Sequence, residues 1–324
     1  MLTSQLIINV IELVVNTLPS RKKGAIVLVG LTQLQYFKAL AERQHLTQTA
    51  NHLMISAPSL SATIARLEKE VGCQLFDREG RNIYLNEQGR TYLKYVNIIF
   101  DALENAKLEV HDNSREQNQH VDIAISSPIV WHQSLQLFMK NNPHITLSHT
   151  LIKRDRFCDG NYCNKFDFIL TAASDLSGND WEYEILIPDD RPMLAVYPNH
   201  PLAQRQSIRL IEAKDEPFIA VTKDFSMRGF FNESCERVGF TPKIVLECDY
   251  MLRSMMLAAE YGIVFTTESG ARADALKNAV FVNIIDPPLR RTQVIFSNKR
   301  HYLSHAARNF RDFMLRYHQG EQAQ

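Results

Sequence analysis

The chain has 324 residues, 45 % of them apolar and 22 % charged, with 36 basic and 36 acidic side chains. This length and composition allow about two or three hydrophobic cores and exclude the disordered and fibrous classes of protein. Because the formal net charge is zero, the composition indicates neither a basic tail nor an acidic coat. Any contact with nucleic acid therefore has to be local.

Cysteine usage and hydropathy indicate the compartment. Five scattered cysteines are typical of reduced thiols rather than of a disulfide framework. No apolar run reaches the roughly 18 residues that a membrane span needs. In residues 1–30 positive charge follows the first apolar stretch, whereas a signal peptide carries its charge before it. We expect a cytoplasmic protein with no membrane partner, in which residues 1–30 are an N-terminal extension of unassigned role.

Three short helices are predicted between residues 31 and 71. From Leu31 onward, apolar residues recur three or four positions apart, as in an amphipathic helix. Thr47 is placed to cap a second helix, and Ser56 a third, with Pro58 tolerated in its first turn. Three helices within about forty residues are typical of a helix-turn-helix.

The third predicted helix has an apolar stripe and a plain outward face, with small residues at its N-terminal end and cations beyond. A helix that enters the major groove needs close approach at its first turn, short hydroxyls, and a cation further along. A solvated helix face would show the same residues, so both interpretations stay open on the helix alone. The candidate DNA contacts, with those of the next segment, are Thr47, Ser56, Ala57, Pro58, Ser59, Ser61, Ala62, Thr63, Arg66, Lys69, Arg78 and Arg81.

The segment after this helix predicts a wing. Gly72 ends the helix, and "CQLFDREGRNIYLN" suggests two short strands with a turn at Gly80 and arginines near the tip. Asn86 is placed to cap the next helix. A basic strand pair directly after a helix-turn-helix is typical of a winged helix whose wing contacts the phosphate backbone.

The helix from Glu87 to about His111 carries a second pattern, in which apolar residues alternate four and three apart as in a coiled coil. Packing on the chain's own core is the alternative, but a polar linker follows, so we predict dimerisation. The predicted seam consists of Tyr92, Val96, Ile99, Leu103, Ala106 and Val110.

The run "LQYFKALAERQHLTQTANHLMISAPSLSATIARLEKEVGCQLFDREGRNIYLNEQGR" resembles the N-terminal domain of LysR-type transcriptional regulators. Residues 56, 58, 60 and 61 match the family's Ser-Gln-Pro-x-Leu-Ser stretch, in which Ala57 replaces the usual Gln. Residues 67 and 68 match its Leu-Glu, and residues 75, 76 and 78 its Leu-Phe-x-Arg. The resemblance continues through the linker helix to about residue 318.

The resembling domain carries little charge for a DNA binder. From Leu31 to Arg90, seven basic residues (38, 43, 66, 69, 78, 81, 90) stand beside six acidic ones (42, 68, 70, 77, 79, 87). Ala62, Thr63 and Ala65 stand where the family often has long polar side chains. A small number of phosphate contacts predicts that the affinity for DNA depends only weakly on salt concentration. The alternative function is therefore a ligand-binding sensor whose specific DNA binding is weakened or lost.

The C-terminal two hundred residues alternate strands and helices, which predicts an α/β fold with a parallel sheet. This part resembles the family's effector-binding domain, which is similar to periplasmic solute-binding proteins and has two α/β subdomains. A transporter's solute-binding protein would need an export signal and no winged helix, and the sequence disagrees with it on both points.

The resemblance implies four segments: the extension 1–30, a winged helix at 31–89, a linker and dimerisation helix at 90–119, and an effector-binding domain at 120–324. Crossovers between the subdomains are expected near residues 171–175 and 265–268. Subdomain I would then comprise about 120–172 and 268–324, and subdomain II about 173–267.

The resemblance also implies an effector cleft. Its candidate residues, by family position, are Ser126, Ser127, Thr222, Ser226, Arg228, Tyr250 and Thr266. Helix starts after strands favour an anionic ligand, and Arg228 would pair with a carboxylate or lie on the surface as a plain cation. Asp249 would favour a cationic or hydroxyl group instead, so the effector stays unnamed.

No catalytic or metal-binding motif appears, so we expect no enzyme, cofactor or metal site. Cys158 and Cys163 match no strong metal spacing, so we expect plain surface thiols, with a redox switch or a metal site as the alternative. The resemblance implies double-stranded DNA, a small-molecule effector and other copies of the chain as partners. It further implies a dimer of dimers that bends DNA, with RNA polymerase as an additional partner.

Overall fold

The computed structural model describes residues 29–79, 82–112, 119–272, 276 and 278–320. The chain divides into a first unit, residues 1–99, and a second unit, residues 100–324. The predictions made for residues 1–28, for Arg81 and for residues 113–118 lie outside the described residues.

The first unit contains the predicted helices and strand pair. The helices are α1 (Leu31–Arg43), α2 (Leu46–His52) and α3 (Ala57–Val71). Strands β1 (Phe76–Glu79) and β2 (Asn82–Leu85) pair antiparallel, and α4 (Glu87–Asp112) follows. The prediction of a winged helix-turn-helix is therefore confirmed.

Apolar stripes hold the first unit together. Leu34, Phe37 and Leu40 of α1 are buried, as are Leu60, Ile64 and Leu67 of α3, so each helix turns its predicted stripe inward. The Phe37 ring lies 5.5 Å from the Phe76 ring and 5.3 Å from the Tyr92 ring, which joins α1 to the first wing strand and to α4. Burial of such side chains stabilises a fold by about 1.5–3 kcal/mol each.

Capping residues fix where these helices begin and end. Ser56 caps α3, its Oγ accepting from Ser59 N at 3.3 Å, and Gly72 ends α3 at a φ of 85°. The prediction that Thr47 caps α2 is wrong. His45 is the cap, and its Nδ1 accepts from Gln48 N at 3.2 Å. The helix starts one residue before Thr47, which leaves that hydroxyl inside the first turn.

The second unit has two main sheets. The five-stranded sheet has the order β4-β3-β5-β13-β6, and the four-stranded sheet the order β11-β7-β12-β8. The strands are β3 (His120–Ile125), β4 (Thr146–Leu151), β5 (Phe168–Ala172), β6 (Trp181–Asp190), β7 (Pro192–Val196), β8 (Ser207–Arg209), β11 (Val264–Thr267), β12 (Val280–Asp286) and β13 (Arg291–Asn298). We call the part around the five-stranded sheet subdomain I and the part around the four-stranded sheet subdomain II.

Two further strands, β9 (Pro217–Val221) and β10 (Lys243–Cys248), pair parallel, and Phe218 of β9 bridges to Ile263 beside β11. Helices cover the sheets. They are α5 (Pro128–Asn141), α6 (Gly160–Cys163), α7 (Ser226–Arg237), α8 (Tyr250–Ala258), α9 (Glu268–Arg272) and α10 (His305–Gly320), with 3₁₀ turns at Arg154–Cys158, Pro201–Gln204 and Leu210–Ala213. The predicted two-subdomain α/β architecture is confirmed.

The predicted crossover positions are wrong. Strand β6 pairs antiparallel with β13 and still belongs to the sheet of subdomain I, so the chain first crosses at Arg191. Strand β12 pairs with β7 and β8, so the return crossing follows Asp286 and precedes Arg291. The expected subdomain limits, 173–267 for subdomain II, therefore assign β6 and β12 to the wrong sheets. Both strands expose many of their residues, which hides the strand signal in the sequence.

Candidate DNA-binding surface and effector cleft

The outward face of α3 is exposed, as the sequence predicts. Six of its candidate side chains are exposed, namely Ser56, Pro58, Ser59, Ala62, Arg66 and Lys69, while Ala57, Ser61 and Thr63 are half-buried. The Thr63 hydroxyl donates to the Ser59 carbonyl at 2.9 Å, within the helix. Thr47 on α2 is also exposed. The first turn of α3 therefore presents small side chains with little bulk around them, and the cations come about two and three turns later.

The wing is tied to α3 by a carboxylate. Glu68 Oε1 accepts from Leu75 N at 2.8 Å and from Phe76 N at 3.2 Å. The exposed Arg78 lies on β1, two residues further on. Because Glu68 belongs to α3 itself, these two hydrogen bonds fix the wing strand relative to the helix that carries the candidate base contacts.

The start of α4 closes tightly against the same loop. Asn86 Oδ1 accepts from Gly89 N at 2.8 Å, which confirms Asn86 as the cap. A Cβ atom on Gly89 would lie 2.1 Å from the Leu75 carbonyl oxygen. Only glycine fits at this approach, which sets the path of the chain from the wing into α4.

The predicted dimerisation seam divides into two parts. Val96 is 1 % exposed, so it belongs to the core of the first unit and its predicted contact with a partner is wrong. The Tyr92 ring packs edge-on against Phe37 but is half-buried, so its contact with a partner stays a prediction. Burial raises the pKa of Tyr92 to about 12. Ile99 is half-buried, whereas Leu103, Ala106 and Val110 are exposed.

The far end of α4 is anchored within the second unit. Asp112 is buried, and its carboxylate accepts from Tyr302 Oη at 2.9 Å and from His305 N at 3.0 Å. Asn105 Oδ1 accepts from Tyr302 N at 2.9 Å. The last two turns of α4 are thus fixed to the segment that leads into α10.

A buried polar network joins the two subdomains. Asp175, which follows β5 in subdomain I, accepts from Ser226 Oγ of subdomain II at 2.6 Å and from Arg291 Nη2 at 3.2 Å. Arg291 Nη2 also donates to Ser226 Oγ at 2.5 Å. The Thr171 hydroxyl lies 2.8 Å from Ser126 Oγ and contacts the Asp175 carboxylate. Predicted cleft residues from both subdomains therefore meet around one ion pair.

Tyr250 makes a second link between the subdomains. This residue starts α8 in subdomain II, and its hydroxyl donates to the Ser126 carbonyl of subdomain I at 3.2 Å. Burial raises its pKa above the ordinary value for a tyrosine. Ser127 and Thr266 are also buried, and Thr222 is half-buried.

Two predicted ligand groups have other partners. Arg228 is buried and donates to Glu247 Oε1 at 2.8 Å and to the Val221 carbonyl at 2.9 Å, so it is neither a surface cation nor a group held open for a carboxylate. Asp249 caps α8, with its Oδ1 accepting from Leu252 N at 2.8 Å. Neither side chain therefore predicts the charge of the ligand, because each already has hydrogen-bond partners within the fold.

The sequence missed three residues of this region, namely Thr171, Asp175 and Arg291, as site members. Asp175 and Arg291 are 116 positions apart, so no local spacing could have paired them. The available signal was the position of each polar residue at the end of a predicted strand.

A cavity of about 440 Å³ lies beside the first crossover, at Arg191. Its lining includes Gln133, Asp190, Arg191, Glu268 and Arg272. None of the predicted effector residues lines it.

Over the described parts of the chain, no group of three or more histidine, cysteine or acidic residues is arranged to hold a metal ion. No described helix is long and apolar enough to cross a membrane.

This combination defines a class: a winged helix-turn-helix reader followed by a two-lobed ligand-binding module. The model of the "LysR substrate binding domain" matches residues 114–319, and that of the "Bacterial regulatory helix-turn-helix protein, lysR family" matches residues 31–90. The chain belongs to the LysR family of transcriptional regulators.

Individual relatives agree with this assignment. The chain is similar to the transcriptional dual regulator GltC of Bacillus subtilis (strain 168), with 26 % identity over 295 residues that make up 89 % of this chain and 97 % of GltC. It is 30 % identical over 230 residues to the uncharacterized HTH-type regulator YybE of the same organism, across 66 % of this chain and 74 % of YybE.

Solved structures share the fold. A full-length OxyR variant from Pseudomonas aeruginosa has a TM-score of 0.61 at 19 % identity, covering 89 % of this chain and 98 % of that one. CbnR, a LysR family transcriptional regulator, has a TM-score of 0.55 at 18 % identity, covering the same shares of the two chains.

Proposed function

We propose that this regulator reads double-stranded DNA through the exposed face of α3. Ser56, Pro58 and Ser59 would lie closest to the major groove, because short side chains allow the helix to approach the base edges. Arg66 and Lys69 would contact the groove or its phosphates further along the helix. Arg78 and Arg81 of the wing would contact the phosphate backbone, which positions the domain without reading sequence.

A small-molecule effector would bind between the two subdomains and change how far they close. The observation that carries this proposal is the buried contact among Asp175, Ser226 and Arg291, which spans the subdomains. Such a junction has two discrete arrangements, made and broken, and a ligand that favours one of them shifts the population. Ser126, Ser127, Thr222, Tyr250 and Thr266 would line the ligand site, whereas Arg228 is assigned to the fold.

Leu103, Ala106 and Val110 would form the part of the α4 seam that pairs with a second copy, because these side chains are exposed in the single chain. Two such dimers would make the tetramer, and contact with RNA polymerase would transmit the effector's signal. We infer no catalytic role, since the relatives are transcriptional regulators. The linker would begin within α4, and the effector-binding domain near residue 114, where the family match starts.

Fluorescence anisotropy of the full chain tests the proposal, using the DNA upstream of its own gene against a scrambled duplex at about 50 mM and about 200 mM salt. We expect a preference for the upstream duplex that persists at the higher salt. Equal binding to both duplexes that disappears as salt rises would contradict specific regulation and favour the sensor with lost DNA binding.

A further inference from the structure

Subdomain II contains a buried arginine, Arg253, that has no anionic partner among the residues that the structure describes. Arg253, on α8, is 3 % exposed. Its guanidinium group makes no hydrogen bond or ion pair with any residue in the described ranges, and Nε has no acceptor. The guanidinium lies over the ring of Tyr250, whose centroid is 4.9 Å from Cζ. Burying a charge without a counter-charge is costly, so this position needs an explanation.

The other two arginines that are buried in the described parts of the chain are each compensated. Arg228 pairs with Glu247 at 2.8 Å, and Arg291 pairs with Asp175 at 3.2 Å. Arg228 and Arg253 line the same small cavity of about 10 Å³, between α7, α8 and the ends of β9 and β11. No acidic residue lines this cavity, and Glu247 already pairs with Arg228, so the charge of Arg253 has no counter-charge among the described residues.

Tyr250 and Cys248 are the two ionisable side chains that act on the pKa of Arg253, and burial disfavours the charged form of each. Burial raises the pKa of the Tyr250 phenol and that of the Cys248 thiol, although Arg253 itself acts in the opposite direction on both. Burial also lowers the pKa of Arg253, but an arginine keeps its proton across the physiological range. The missing negative charge therefore does not come from these side chains.

We propose that the cavity at Arg253 is a binding site for one small singly charged anion group. Two sources supply that chemistry: a free inorganic or formate-sized anion, or the carboxylate end of an organic ligand. The present volume has room for about one water-sized particle, which suits a chloride-sized ion, whereas formate requires the cavity to widen. An organic carboxylate would require the Tyr250 ring to leave its position over Arg253, which would also break the link from Tyr250 to Ser126.

Thermal unfolding of the full chain tests this site, with chloride, formate or benzoate added to an otherwise identical sodium HEPES buffer of constant ionic strength. We expect the Tm of the wild-type protein to rise and then saturate with chloride or formate if the source is a free ion. Saturation with benzoate but not with the small ions identifies the organic source. Response to none of the three would overturn the proposal.

Two variants separate the site from general salt effects. Arg253→Leu should have a higher Tm than the wild type in HEPES alone, because an uncompensated buried charge is replaced by a packed apolar side chain. It should lose the saturable response, whereas Arg237→Leu, on the exposed face of α7, should keep it. An Arg253→Leu protein that responds like the wild type, or that is less stable in HEPES alone, would contradict the proposal.

Arg253→Lys provides an independent check on the charge. It should respond to the same anion at a concentration about tenfold higher, because an ammonium offers a point charge without the planar fork of donors. Complete loss of the response in Arg253→Lys would count against a charge-based site. These measurements use no DNA, so a negative result here leaves the proposed regulation by DNA binding unaffected.

Discussion

The first and second units differ in where they place their polar groups. Among the described residues before Phe100, Thr49 is the one polar side chain that is buried. In the second unit, the described residues include five buried charged side chains, which are Asp112, Asp190, Arg228, Arg253 and Arg291. The first unit therefore has an apolar interior and carries its candidate function on the surface, while the second carries its candidate function inside.

Function and stability are therefore separable in the first unit and coupled in the second. In the first unit, a surface substitution can remove a DNA contact and leave the fold intact. In the second, the polar groups that would sense a ligand also hold the subdomains together, so a substitution there changes both properties. Elements of low local stability are the ones that move in a switch, and an internal ion pair is a means of setting that stability.

The largest effect is expected from Asp175→Asn, which leaves Arg291 buried opposite a neutral amide. Breaking a buried pair by neutralising one partner costs about 3–5 kcal/mol, so the free energy of unfolding of the second unit should fall by about that amount. Chemical denaturation followed by circular dichroism measures the change. The matched variant is Asp180→Asn, whose partner Arg300 lies 2.8 Å away but whose own side chain is 47 % exposed. It should cost about 1 kcal/mol or less, and equal losses in the two variants would refute the role given to the buried junction.

In the first unit, we expect a comparable loss in the free energy of unfolding from a backbone clash rather than from a lost charge. Gly89→Ala places a Cβ atom 2.1 Å from the Leu75 carbonyl oxygen, and the surrounding backbone has to move. We expect a cost of about 3 kcal/mol, at the upper end for overpacking. Gly72→Ala is the control, because its Cβ meets open space and only the φ of 85° is unfavourable, which costs about 1–2 kcal/mol. Unfolding of the two purified variants should rank them in that order.

The fold could be predicted wherever a local period was strong. Helices α1 and α3 follow from apolar residues three and four apart, and the wing follows from Gly72 and Asn86. Sheet membership could not be predicted, because β6 and β12 are recognisable only through partners far along the chain. A strand is recognised in a sequence by alternation of buried and exposed residues. Strand β6 has four consecutive exposed residues and lacks a clear alternation.

The site was predictable by position but not by partner. Ser126, Ser226 and Tyr250 were expected at the cleft because of their positions in the family that the sequence resembles. Arg253 gave no signal, since it lies in the apolar run "MLRSMMLA", where an arginine is equally compatible with the exposed side of a helix. Which side of a short helix faces the core depends on the neighbouring strands, and the local sequence does not contain them.

A third prediction uses the second unit's buried histidine. Burial lowers the pKa of His318 from 6.5 to about 4, so the folded protein resists protonation that the unfolded chain accepts. Below pH 6.5 the unfolded state therefore binds more protons, and stability is lost as the pH falls toward 4, by up to about 1.4 kcal/mol per pH unit. Denaturation at several pH values should show a shallower dependence for His318→Leu than for His144→Leu, an exposed position. Identical slopes in the two variants would exclude His318 as the source.

The smallest effect on stability is expected on the face of α3. Arg66 is exposed, and its removal in Arg66→Ala should leave the free energy of unfolding unchanged within about 0.5 kcal/mol. Affinity for the upstream duplex should nevertheless fall by about tenfold, and if the contact is to phosphate, the slope of log affinity against log salt should become shallower by about one. Anisotropy titrations beside Arg237→Ala, an exposed arginine of the second unit, separate a specific contact from a change in net charge. Unchanged affinity in Arg66→Ala would mean that α3 presents a different face to DNA. An arginine two turns beyond the first turn of a helix in the groove lies near phosphates, and its removal has to lower the affinity.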